Sequence, residues 1–251
     1  MTKKTTTNSK KPQDTEQIIN DLWEKYIKPA YDEYKTECKD SVPNYFVPDI
    51  ENCSKKAVKY IILVESPHTD EVNSGKTTED RYPLAGNSGK SVAKFLFNQD
   101  DSIGKLIKNK AESLPNMAIV NVCNVPLQLV YEKSNGDSKN TKKVINNVEC
   151  YNALEEDLKH VRDNCRVIGA LKDNLKTRID AYNESATFIV CGEFAQTYFD
   201  GIKEDSSNFK ALYVPHPSRN QWKFVYEHKD DVSNLKGLFE NRAQTIQTNK
   251  E

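Results

Sequence analysis

The sequence predicts an α/β domain in which four short parallel strands lie between two helical layers. Three observations predict it. Four brief, continuous, β-branched runs, at 57–64, 117–123, 187–192 and 211–214, show no alternation, the pattern of strands buried on both faces. The segments between them carry apolar residues at helical spacing. Strand and helix alternate along the chain, an order that builds a parallel sheet with crossover helices.

Residues 1–13 are Lys, Thr, Ser and Asn without apolar periodicity and are expected to form a disordered basic tail, leaving 14–251 as a single domain. Ile18, Ile19, Leu22, Tyr26 and Ile27 follow helical spacing, so a helix is expected over roughly 15–37. The Pro-containing stretch SVPNYFVPDIENC (41–53) is expected to be an irregular connection. AVKYIILV (57–64) is the first strand, and a polar loop follows it to about 87. SGKSVAKFLF (88–97) opens on Ser88 as a cap and continues as a helix, with a second short helix over 103–113. MAIVNVC (117–123) is the second strand. Residues 124–147 form a long polar segment with Lys133, Lys139, Lys142 and Lys143 and a turn at Asn135-Gly136. Helices near 148–164 and 170–183 precede the third strand, TFIVCG (187–192), and EFAQTYF (193–199) starts another helix. ALYV (211–214) is the fourth strand, and a last helix is expected over about 231–246. No internal repeat is visible.

Composition narrows the class. With 251 residues, 37% hydrophobic and 29% charged, the chain is long enough for a sizeable core and has an ordinary globular balance. No apolar run approaches the ~20 residues of a membrane span, so no membrane partner is expected. The start, MTKKTTTNSKKPQ, has no apolar segment, which makes a secretory signal unexpected and a cytoplasmic location the default. The net charge of −1 counts weakly against nucleic-acid binding, because a local basic groove suffices for it. The six cysteines, at 38, 53, 123, 150, 165 and 191, contain no C-x-x-C pair, so neither a zinc nor an iron–sulfur site, and no other metal, is expected and the thiols should be free.

In open α/β folds a ligand sits beyond the carboxyl ends of the strands. The residues just after the four runs are Glu65-Ser66-Pro67-His68, Asn121 and its followers, Gly192-Glu193, and Pro215-His216-Pro217-Ser218. The chemically able side chains of the chain are therefore expected to gather in one cleft.

ILVESPHTDE, YPLAGNSGKSVAKFL, AIVNVCNVP, FIVCGEFAQTYF and LYVPHPS resemble, in order, the motif series of the uracil-DNA glycosylase superfamily. The pattern is closest to the iron–sulfur-type bacterial and archaeal branch, although the cluster cysteines are absent. The resemblance covers about 60–222; each motif is short, and their order and strand-end positions carry the likeness. It implies a uracil-DNA glycosylase-like α/β/α sandwich acting, without a cofactor and as a monomer, on DNA that carries uracil or a modified pyrimidine. It also implies a monofunctional enzyme, because no Lys stands at a recognised Schiff-base position.

Such an enzyme flips a nucleotide into a pocket and breaks the bond between C1′ and the base. The sugar becomes cation-like and the base leaves as an anion. His216 matches the residue that stabilises that anion, and one donor aimed at developing charge is worth about 3 kcal/mol. Its structural alternative is a helix-capping or core histidine. Glu65 matches the acidic position that orients a water or balances the sugar cation. Asn121 matches the amide that pairs with a pyrimidine edge, since an amide meets a carbonyl and an N–H at once; the alternative is an Asn satisfying backbone groups at a strand end. Gly86, Asn87, Ser88 and Gly89 match a Gly-rich helix opening whose N–H groups receive phosphate or base oxygen. Pro217 and Ser218 would fix a loop that meets a phosphate. Arg219, Asn220, Gln221 and Trp222 stand where the family places the wedge that replaces the flipped base; Arg219 or Trp222 would fill the gap, or Trp222 packs against the domain.

The departures matter as much. Ser66 stands where the best-known branch has a water-activating Asp, so Asp70 and Glu71 become reserve candidates, or ordinary loop charges. Leu84 replaces a Phe that stacks on uracil, and His68 stands where other branches place Tyr or, in this one, Gly. With Ser66, Pro67, His68, Leu84 and Asn121 lining it, the base pocket need not be a tight uracil pocket; a bulkier modified pyrimidine fits the same residues, and the Lys-rich 131–143 segment points the same way. Two other classes stay open beside the enzyme: a base-binding module of the same fold with catalysis lost, and an unrelated hydrolase using Cys191 or Ser218 with His216. The last lacks any nucleophile-elbow context.

Overall fold

A computed structural model describes Lys28 and residues 46–125, 166–203, 209–218, 221–222, 235 and 239. The expected tail 1–13, the helices at 15–37 (beyond a helical Lys28) and 148–164, the Lys-rich 131–143 segment and Arg219 lie outside the described residues. So does the last expected helix, apart from helical Leu235 and Phe239.

The four expected strands form, as β2 (Tyr60–Val64), β3 (Met117–Asn121), β4 (Thr187–Cys191) and β5 (Lys210–Val214). These four are parallel to one another, with register Val64↔Asn121, Leu63↔Val190 and Cys191↔Val214. The sheet has a fifth strand that the sequence reading missed: β1 (Ile50–Glu51) pairs antiparallel with β3, so the order is β1-β3-β2-β4-β5. Two residues within a Pro-containing stretch leave no alternation to read, and a strand this short belongs at an edge.

Among the described residues, the strands are accompanied by the single turn α1 (Thr69–Val72) and by the helices α2 (Asn87–Phe97), α3 (Ile103–Lys108), α4 (Arg166–Ile179) and α5 (Gly192–Lys203). Strand periodicity divides the core in two. Ile61, Leu63, Ala118, Val120, Phe188 and Val190 point to the face covered by Leu171, Leu175 and Ile179 of α4 and by Phe194, Tyr198 and Phe199 of α5. Ile62, Val64, Met117, Ile119, Ile189 and Cys191 point to the other face, under Val92, Ala93 and Leu96 of α2, Ile103 and Ile107 of α3, and Trp222, Leu235 and Phe239. Burying one such aliphatic side chain contributes about 1.5–3 kcal/mol. The cap of α2 is a correction: its N-cap is Gly86 and no side chain caps it, Ser88 lying inside the first turn. Ser102, by contrast, caps α3 by accepting from the Lys105 N–H.

The topology positions the site. The chain leaves β2 toward the α2–α3 face and leaves β4 toward the α4–α5 face. Neighbouring parallel strands whose connections diverge in this way open a crevice at their carboxyl ends.

Candidate active site

At that crevice lies a cleft of about 410 Å³, lined by Val64, Glu65, Ser66, His68, Glu71, Leu84, Ser88, Asn121, His216, Ser218 and Gln221. Its size falls in the range of small-molecule sites, roughly 300–1,000 Å³. Glu65 follows β2, Asn121 ends β3 and His216 follows β5. Residues far apart in the chain therefore face one cavity, as the strand-end rule requires.

Asn121 continues the Met117–Ile119 face of β3 and so points toward the α2 side, where Leu84 and Ser88 lie. It is 1% exposed, and its side-chain Nδ2 finds no hydrogen-bond partner among the described residues. A buried donor left in that state costs about 1–3 kcal/mol, so the fold holds an amide at the cleft floor that a ligand carbonyl would satisfy. The backbone around it is pinned: Asn121 N donates to Asp49 Oδ1 at 3.2 Å, Val122 N to Val64 O at 2.8 Å, and Cys123 N to Glu65 O at 3.1 Å. The last bond ties the Glu65 and Asn121 turns together.

His216 is half-buried, and its Nδ1 accepts from the Ser218 N–H at 3.3 Å. With Nδ1 an acceptor, the neutral ring carries its proton on Nε2. Gly192 makes room behind it: its φ is 85°, and a Cβ there would lie 3.0 Å from His216 Cβ. The loop is anchored by Trp222, whose Nε1 donates to Pro215 O at 2.6 Å.

Of the two readings the sequence leaves for Trp222, wedge or packing against the domain, the structure supports packing and corrects its expected place at the DNA. Trp222 is 0% exposed and meets Phe95 edge-on at 6.0 Å, so it packs in the core and cannot serve as a wedge. Gln221, exposed and lining the cleft, stands at the lip instead. The indole is drawn inward by both the apolar face and the carbonyl it satisfies.

Of the remaining expected residues, Ser66, His68, Leu84, Ser88 and Ser218 line the cleft, whereas Pro67, Pro217 and Gly89 are buried supports that do not. Leu84 has φ 52°, a left-handed conformation that a bulky side chain rarely takes, and it is buried at 4% exposure. Gly89 lies against the Leu84 carbonyl so closely that any Cβ would overlap it. Asp70 is exposed and sits against Gly86 rather than in the cleft. Its neighbour Glu71 is the acid that enters: it is 8% exposed, lines the cleft, and its Oε2 accepts from the His68 N–H at 2.8 Å. Burial pushes the Glu71 carboxyl above the usual carboxylate range, opposed by that N–H. The signal for Glu71 in the sequence is a capping arrangement, a Glu three residues after the residue that precedes the helix.

A second, more open cleft of about 600 Å³ adjoins the first through Ser88 and is lined by Asn87, Lys90, Ser91, Lys94, Gln99 and Asp100. Lys94 is paired with Asp100 at 2.9 Å. Cys191 is 1% exposed and burial raises its thiol far above the ordinary value, so it stays protonated and is unsuited to nucleophilic attack. Among the described residues, no group of three or more His, Cys, Asp or Glu is placed to hold a metal ion, and no helix is long and apolar enough to cross a membrane. No protein-family model matches the chain, and no curated protein matches it.

Proposed function

We propose that this chain is a monofunctional DNA glycosylase that hydrolyses the N-glycosidic bond of a flipped-out uracil or modified pyrimidine and leaves an abasic site. The observation that carries the reading is the convergence of His216, Glu65 and Asn121 on one cleft at the carboxyl ends of three parallel strands. Four parallel strands with helices on both faces suit the α/β/α sandwich of the uracil-DNA glycosylase superfamily, extended here by one antiparallel edge strand.

In this reading the Asn121 amide meets a base carbonyl, and the His216 Nε2–H stabilises the oxyanion that develops as the base departs. Glu65 balances the sugar cation or orients the attacking water, the task for which Ser66 offers no carboxylate. Leu84 in place of a stacking ring, with polar Ser66, His68, Ser88 and Gln221 around it, suits a pyrimidine bearing a substituent better than bare uracil. The adjoining cleft with Lys90 offers a route for the strand backbone. The protein would act as a cytoplasmic monomer on DNA, in repair or in defence against modified foreign DNA.

The test is an excision assay on duplexes carrying uracil, thymine, cytosine or enlarged 5-substituted cytosines, with heat–alkali treatment to reveal abasic sites. The expected outcome is strand breakage at a target base, lowered about 10²–10³-fold in His216→Ala and also lowered in Glu65→Gln. Efficient cleavage of uracil alone would remove the wide-pocket element. Tight binding without breaks would move the chain to the second reading, a base-binding module, which Ser66 at the position of a water-activating Asp favours.

A further inference from the structure

The turn that carries Asn121 is held by two residues from distant parts of the chain. Asp49, just before β1, accepts from the Asn121 N–H and from Asn124 Nδ2 at 2.9 Å through Oδ1, and from Arg178 at 2.7 Å through Oδ2. Arg178, on α4, donates its other terminal nitrogen to Val122 O at 2.9 Å, and its Nε to Asn174 Oδ1 at 2.8 Å. The Asp49 and Arg178 side chains are 10% and 18% exposed, so the pair is shielded from water. Together with the bond from Val122 N to Val64 O, the pair pins the peptide groups on both sides of Asn121. Those peptide groups set the direction of the Asn121 side chain.

We propose that Asp49 and Arg178 are positioning residues for Asn121: their partly buried ion pair aims the amide at the cleft floor and thereby sets which base the cleft prefers. The base-preference part rests on the glycosylase reading; the aiming part does not. The fork of Arg178 spans a carboxylate and a carbonyl together, and Lys, with a single nitrogen, cannot reproduce both contacts. A pair that only held the fold together would lower stability without changing selectivity.

The experiment uses the full chain with Arg178→Lys and Asp49→Asn, milder than alanine so that folding is retained, checked by thermal melting. The side-chain amide signals of Asn121 are followed by ¹⁵N NMR, identified by their loss in Asn121→Ala. The Asn52 amide, which donates to Pro115 O at 2.8 Å, is the internal control. The Asn121 signals are expected to shift or broaden in both variants while those of Asn52 stay. Single-turnover excision on duplexes carrying uracil, thymine, cytosine or 5-hydroxymethylcytosine should show the preferred-to-disfavoured ratio falling roughly tenfold to a hundredfold, since misplacing a contact by about 1 Å costs that much. Unmoved Asn121 signals in folded variants overturn the proposal, as does a uniform loss across all four bases. Should the wild-type chain excise none of them, the glycosylase reading and the base preference fail together, and the Asn121 signals still decide whether the pair aims the amide.

Discussion

The turn after β3 and the loop after β5 both deliver a polar side chain to the cleft, and they are held by different physics. The β3 turn is held by charge: a shielded carboxylate and guanidinium satisfy its backbone groups, and Asn121 is nearly sealed from solvent. The β5 loop is held by packing: a buried indole reaches back to Pro215 O, and Gly192 lets His216 approach. Under the proposed function the difference suits two tasks. A residue that reads a base edge needs fixed direction, which paired hydrogen bonds supply. A residue that meets charge appearing only in the transition state needs a fixed place and an Nε2–H turned to the cavity.

The largest effect expected from breaking this contrast comes from Trp222→Ala. Removing a fully buried indole should cost about 3–5 kcal/mol, read as a lowered midpoint in denaturant titration. A loss below about 1 kcal/mol would mean that the β5 loop is not held by the core.

The contrast also explains what the sequence disclosed. The four parallel strands are legible because continuous β-branched runs have few other uses, and the strand-end rule brings Glu65, Asn121 and His216 together from the sequence alone. β1 was not legible, because two residues carry no period. The sequence leaves Trp222 open between wedge and packing, because an aromatic after a turn has no neighbour in sequence to show which way it faces; its burial decides for packing. The Asp49–Arg178 pair links positions 129 residues apart, so no local pattern announces it. The sequence offers Asp70 and Glu71 as alternatives; only burial separates them, one side chain lying outside against Gly86 and the other inside the cleft.

A smaller effect tests the backbone behind His216. Gly192→Ala places a Cβ at φ 85° and 3.0 Å from His216 Cβ. The left-handed conformation costs about 1–2 kcal/mol in stability, and relief of the contact displaces the imidazole. The expected signature is a modest fall in Tm with a larger fall in single-turnover excision than in duplex binding. Equal losses of binding and excision would argue that His216 contributes to grip rather than to the chemical step.

The smallest effect concerns Glu71, which belongs to neither loop and lines the wall between them. Its carboxyl is raised by burial above its ordinary value of 4.5, so the folded chain holds that proton more tightly than the unfolded chain does. Between 4.5 and the raised value the folded state binds more protons, and stability therefore falls as pH rises through this window. Below it the contribution is fully present. Glu71→Gln removes the titration and keeps a carbonyl oxygen for the His68 N–H, so the turn should survive. Urea midpoints taken from about pH 4 to pH 8 should nearly coincide for the two proteins at the acid end. They should then separate in favour of the variant as the wild-type carboxyl ionises inside the cleft. Parallel curves across that range would show that the carboxyl ionises as readily in the folded chain as in water, and that this wall of the cleft is wetter than the geometry indicates.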